Sequence, residues 1–126
     1  LAVVSQRLVR VLCPHCAESV DPNEDETAWV MQSLGRPLRP GTQFKRAAGC
    51  HHCNNIGYKG RTGVHEILSI TPPLSRALRT GSLHDFEAAA ATQLKGSTIA
   101  DHVLRLVLQG KTTVAEAMKV VSSEEA

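Results

Sequence analysis

The sequence predicts a mainly α-helical chain with a small β element, and three observations predict it. Two Cys-x2-Cys pairs, Cys13 with Cys16 and Cys50 with Cys53, are held apart by residues 17–49. From residue 71 onward apolar positions recur at helical spacing, punctuated by capping residues and glycine stops. Runs with strand character are short, at residues 44–47 and 64–70. Together they give a tetracysteine module inserted with a helical arm, followed by a C-terminal bundle of short helices.

A Cys-x2-Cys turn sets two sulfurs on one side of a tight knuckle. Two facing knuckles supply the four thiolates of a tetrahedral zinc site, with Zn–S of about 2.3 Å. Cys13, Cys16, Cys50 and Cys53 are therefore the candidate metal ligands, and zinc the candidate ion. Cys13-Pro14-His15-Cys16 also has the form of an oxidising thiol–disulfide tetrapeptide. The βαβ pattern such a site needs is missing, and a redox site has no use for a second pair. Two disulfides are the third option, against which stand the lack of a signal-peptide pattern and a length that needs no staples. Reduced cysteines make the cytoplasm the natural compartment. His15, His51 and His52 are read as solvated or outer partners, because four thiolates complete the shell. His65, His84 and His102 stand singly and are read as surface or packed residues.

At 126 residues the chain is one ordinary domain or two very small ones. Aromatic residues are 3%, so Leu, Val, Ile and Ala must build the core, and a core that thin gains from a metal. No apolar run approaches the ~20 residues that cross a bilayer. The net charge of +2 is laid out unevenly. No acid occurs between Glu26 and Glu66, where Arg36, Arg39, Lys45, Arg46, Lys59 and Arg61 all fall. A zinc ion on four thiolates carries about −2, so part of this excess neutralises the clasp. The rest is either a solvated face or a surface for phosphate or an acidic partner.

Taken in order, Leu1, Val4, Leu8 and Val11 predict an amphipathic helix over residues 1–12, with no cap before it, as in a piece of something longer. Asp21-Pro22-Asn23-Glu24 predicts a second helix capped by Asp21, with Ala28, Val30, Met31 and Leu34 as its apolar residues and Gly35 as its stop. Residues 36–42, rich in proline and glycine, form the tip of the arm. Gly57, Gly60 and Gly63 mark a tight backbone excursion, read as a turn before the strand at 64–70. Thr71-Pro72 opens a helix packing Leu74, Ala77 and Leu78. Ser82 caps the next, with Phe86, Ala89, Ala90 and Leu94 on its apolar face. Ser97 or Thr98 caps a third carrying Ile99, Val103, Leu106 and Val107. Thr113 and Glu116 box the last, burying Ala117, Met118 and Val121. Residues 122–126 are expected to fray. Gly110-Lys111-Thr112 is not the end of a phosphate-binding loop, since a helix precedes it and Arg105 stands where the loop needs glycine.

The ordered series Gln6-Arg7-Leu8-Val9-Arg10, the two cysteine pairs, Gly57-Tyr58-x-Gly60-Arg61-Thr62-Gly63 and Glu66, closed by residues 104–109, Gly110, Thr112, Thr113 and Glu116, resembles a known family. It is similar to the secretion ATPases that power type II secretion and type IV pilus assembly in bacteria. The resemblance covers nearly the whole chain and implies a cytoplasmic motor, peripheral to the inner membrane and homo-hexameric. Such a motor works on an inner-membrane platform protein within the secretion or pilus apparatus. It also implies a tetracysteine zinc site at Cys13, Cys16, Cys50 and Cys53, and three parts: residues 1–12 ending the motor domain, 13–63 the zinc module and 64–126 the strand with its helical bundle.

The family's phosphate-binding loop, its acidic pair for Mg²⁺ and its histidine box have no counterpart in this sequence. ATP and magnesium are thus expected to belong to the full-length parent, and this chain alone is expected not to hydrolyse ATP. Arg7, Arg10 and Arg61 are candidate contributors to a nucleotide site completed elsewhere. The other readings are a zinc-ribbon nucleic-acid binder and a thiol oxidoreductase. Sparse aromatic residues and a pI of about 8.5 argue against direct nucleic-acid binding.

Overall fold

The structure, a computed structural model, describes the backbone of residues 1–125 and the side chains of residues 1–122. Its frame is a long antiparallel hairpin of β1 (Ala2–Leu12) and β4 (Tyr58–Ser69). Residues 13–57 emerge between the two strands. They carry the short strand β2 (Glu18–Val20), helix α1 (Glu24–Leu34) and strand β3 (Phe44–Arg46), with β2 and β3 paired in a second small sheet. After β4 come α2 (Pro72–Thr80), α3 (Leu83–Leu94), α4 (Ile99–Leu108) and α5 (Val114–Glu125). None of the described helices is long and apolar enough to cross a membrane.

Residues 1–12 are a strand, not the amphipathic helix that their spacing suggested. Val3, Val4, Val9 and Val11 are stiff β-branched residues that suit a pleated strand. Of the four residues taken as a helical stripe, Leu1, Val4 and Leu8 are exposed, while Val9 and Leu12 are buried. The pairing runs in register from Ala2↔Ser69 to Arg10↔Arg61, then slips to Leu12↔Tyr58. Gly60 and Gly63 are therefore part of β4 and not a turn ahead of it, with Gly57 just before the strand. The slip places an extra residue in β4, and Gly60 accommodates it at φ +82°, as a bulge requires.

Helix α1 starts two residues later than the sequence suggested. Asn23, not Asp21, is its cap: Oδ1 accepts from the Glu26 N–H at 2.7 Å and Glu26 Oε1 accepts from the Asn23 N–H at 3.1 Å. Thr71, Ser82 and Thr98 start the later helices as their positions predict, and Gly81 stops α2. Leu74 and Ala77 are buried, but Leu78 is exposed. The predicted face of α3 is only half-buried. In α5, Ala117 and Val120 are buried, with Met118 and Val121 packed against the core from its edge. Residues 122–125, expected to fray, continue α5 to Glu125, and Ala126, the last residue of that expectation, lies outside the described residues.

The core gathers Val9 of β1, Val30 of α1, Phe44 of β3, Val64 of β4, Ile99, Val103, Leu104 and Val107 of α4, and Val114 and Ala117 of α5. The arm is thus packed into the same apolar cluster as the last two helices. After α4 the chain turns at Gly110 and sends the Thr112 hydroxyl inward, where it donates to the Arg10 carbonyl at 2.7 Å.

Candidate metal centre

β1 runs directly into the first knuckle. The Leu12 N–H is held by the Lys111 carbonyl at 2.9 Å and the Cys13 N–H by the Gly57 carbonyl at 3.0 Å, which pins the base of the 13–57 insertion. The Cys13 carbonyl then accepts from the Cys16 and Ala17 N–H groups. The second knuckle repeats the device: the Cys50 carbonyl accepts from Cys53 and, at 2.7 Å, from Asn55. Asn54 and Asn55 are both left-handed, and Gly57 follows at φ +88°. A Cβ on Gly57 would lie 2.5 Å from the Ala47 Cβ, so the backbone can pass here only as glycine.

These turns bring all four predicted ligands together. The Sγ atoms of Cys13, Cys16, Cys50 and Cys53 lie within 4.8 Å of one another. Cys13 to Cys50 and Cys16 to Cys53 are 3.8 Å apart, and Cys50 to Cys53 is 3.7 Å. A metal–sulfur bond of about 2.3 Å gives a tetrahedron with edges of about 3.8 Å, so the donor set fits a four-thiolate ion. The same separations are far beyond the ~2.05 Å of a disulfide. Among the described residues, no other group of His, Cys, Asp and Glu has this reach.

Backbone N–H groups point at the sulfurs: Gly49 at Cys16 (3.3 Å), Cys50 at Cys53 (3.3 Å) and Gly57 at Cys53 (3.2 Å). Burial opposes the Cys53 thiolate, yet the amides of Cys50 and Gly57 outweigh it and bring its pKa down to about 6. Burial pushes Cys16 up to about 11 against the pull of the Gly49 amide. Cys13 is fully buried, a poor position for a thiol that must attack a substrate disulfide. The three nearby histidines form an exposed ring stack, His15 on His52 at 3.8 Å and His52 beside His51 at 4.0 Å, apart from the sulfur set.

The candidate nucleotide arginines are not brought together as a set. Arg10 and Arg61 face each other in register across the hairpin, whereas Arg7, an odd number of residues from Arg10, belongs to the opposite face. Arg7 and Arg61 are exposed, and the Arg7 guanidinium donates to the Gln6 carbonyl at 2.9 Å. Arg10 is committed internally. Its Nε and Nη2 each lie 2.8 Å from Glu116 Oε1, its own N–H donates to Oε2 at 3.3 Å, and its guanidinium lies 4.0 Å over the Tyr58 ring. Tyr58 in turn hydrogen-bonds Thr113 at 2.9 Å. Glu116 takes the Thr113 hydroxyl on its N–H at 3.2 Å, but its carboxylate serves Arg10 rather than the helix end. This buried carboxylate was read from sequence only as half of a capping box; its spacing of 106 residues from Arg10 left no local signal.

A family profile described as Type II/IV secretion system protein matches residues 1–119. The chain belongs to that family. Type II secretion system protein E of Pseudomonas aeruginosa is 38% identical to this secretion-family chain over 124 residues, 98% of this chain and 24% of the relative. Type II secretion system ATPase E of Vibrio cholerae is 35% identical over 122 residues, covering 95% and 23%. Type IV pilus assembly ATPase TfpB of Acinetobacter baylyi is 33% identical over 123 residues, covering 96% and 20%. The secretion-family chain thus spans about a quarter of the length of the relatives it matches.

Proposed function

We propose that this chain is the zinc-stabilised C-terminal part of a bacterial secretion or pilus-assembly ATPase, and that it serves structural coupling and contacts with neighbouring subunits or a platform protein. The observation that carries the reading is the four-sulfur cluster at the base of residues 13–57, with two ligands before the arm and two after it. Cys13, Cys16, Cys50 and Cys53 would hold Zn²⁺, which suits a closed tetrahedral thiolate shell and brings no redox chemistry. Held at its base by these residues and at α1 and β3 by the shared core, the arm would move with the hairpin as one body. A displacement driven by nucleotide elsewhere in the parent would then be transmitted rather than absorbed.

The parent is read as a cytoplasmic homo-hexamer peripheral to the inner membrane, binding ATP and magnesium upstream of this chain. The division into residues 1–12, 13–63 and 64–126 goes with that reading, its first part now a strand. Arg7 and Arg61 remain the exposed candidates for nucleotide contact, and Arg10 would act mainly by bracing α5.

Two measurements test the proposal. Elemental analysis of the purified chain should find one zinc per chain, and phosphate release with ATP should stay at background. In the parent, Cys-to-Ser substitution at the four ligands should leave ATP turnover measurable while secretion or pilus assembly collapses. Undiminished assembly in a zinc-free parent would overturn it.

A further inference from the structure

We propose that a groove between the tip of the arm and helix α4 docks an acidic, leucine-bearing peptide segment of a partner protein. Two adjoining hollows, of about 320 and 200 Å³, share Arg36 and Leu108 and so form one groove. Its rim carries Arg36, Arg39 and Arg105, and its apolar side is built from Leu34, Leu38 and Leu108.

Among the described residues the fold makes no use of the charge on this rim. Arg10 and Arg46 each have a carboxylate, Glu116 and Glu18 respectively. The side chains of Arg36, Arg39 and Arg105 have no hydrogen-bond or ion-pair partner among the described residues. Among the described residues the one acid lining the groove is Asp101, engaged at the start of α4, where a single oxygen accepts from the Thr98 N–H at 3.0 Å and its hydroxyl at 2.7 Å. Three exposed guanidiniums in an acid-free stretch of chain and on the neighbouring helix therefore face solvent around a recess lined with leucine.

The geometry selects the class of ligand. Guanidinium forks match carboxylates in paired hydrogen bonds, so the rim complements Asp or Glu side chains. The leucines between them offer an apolar recess for one aliphatic side chain of the same segment. A bilayer surface would instead call for several protruding apolar residues, whereas here Leu34 and Leu38 are half-buried and only Leu108 reaches the surface; single-stranded nucleic acid would call for a stacking ring, and there is none among the described lining residues. The inference rests on the coupling reading for the existence of a partner, but zinc content tests that reading and peptide binding tests this one.

The experiment uses the whole zinc-loaded chain and a fluorescent hexapeptide, Glu-Leu-Glu-Glu-Leu-Glu, with a twin in which Gln replaces every Glu. Anisotropy should show the acidic peptide binding at low salt, and binding about tenfold weaker both for the twin and for the Arg36→Gln/Arg105→Gln variant. Circular dichroism of that variant should match the original, since both side chains are exposed. Leu108→Ser should weaken the acidic peptide without altering its salt dependence. Equal binding of the two peptides, or full binding by the double variant, would overturn the proposal. So would an absence of peptide binding alongside variant-sensitive binding to phosphatidylglycerol vesicles, to an oligonucleotide or to a second copy of the chain.

Discussion

Arg10 and Glu116 close the protein on itself: the Arg10 Nε donates to Glu116 Oε1 at 2.8 Å, joining a strand that leads into the first cysteine knuckle to the last helix, 106 residues away. Thr112, Thr113 and Tyr58 surround the pair, so the first strand, the glycine-rich end of β4 and the start of α5 meet at one point.

Glu116 lies on the side of burial that would raise its pKa, but the hydrogen bonds from Arg10, with the Arg10 and Lys119 charges, lower it from its ordinary value of 4.5. A depressed folded pKa means the stabilisation is complete above about 4.5 and is lost as pH falls through the folded value. Glu116→Gln should therefore cost about 1.5 kcal/mol near pH 7, the low end for a charged hydrogen bond because Arg10 is 39% exposed. The gap between variant and original should shrink as pH drops below 4.5, read from thermal melts across the range.

Cys53→Ser should abolish stoichiometric metal, because three sulfurs leave the shell open. His52→Ala should leave metal content unchanged, since the ring stack lies outside the sulfur set. Elemental analysis of the two variants separates ligand from neighbour.

Gly57→Ala should speed metal release to a chromophoric chelator by about tenfold or more, given left-handed strain of about 1–2 kcal/mol added to the clash with Ala47. Adding Ala47→Gly removes the clash but not the strain, so the double variant should recover only part of the retention.

Phe44→Ala should destabilise the chain by about 3–5 kcal/mol, as for a buried aromatic lost from a packed core. Denaturant unfolding should remain a single transition, because Phe44 and Val30 share their cluster with α4 and α5. A separate early transition for the arm would show that cluster to be divided.

The parts legible in the sequence were those with local causes. Cys-x2-Cys spacing fixes a knuckle within four residues, and Ser82, Thr98 and Gly81 act on the turn next to them. What was hidden depended on distant partners. β1 has apolar residues on both faces, and Val4 and Leu8, exposed on one face, mimicked a helical stripe when joined to Val11. Only pairing with β4 decides the strand. The sheet of β2 and β3 is three residues long on each side, too short for periodicity to show. Asp21 and Asn23 are both good caps two positions apart, and the position of Glu26 settled which was used.

The long insertion between the hairpin strands has ligands on either flank of its proline-rich tip. A protease cutting at residues 36–42 would therefore yield two polypeptides that stay one particle, each contributing a strand to the hairpin and two sulfurs to the same cluster. Gel electrophoresis under denaturing conditions would separate the halves, whereas gel filtration under native conditions would not, because the paired strands and the shared core also join them.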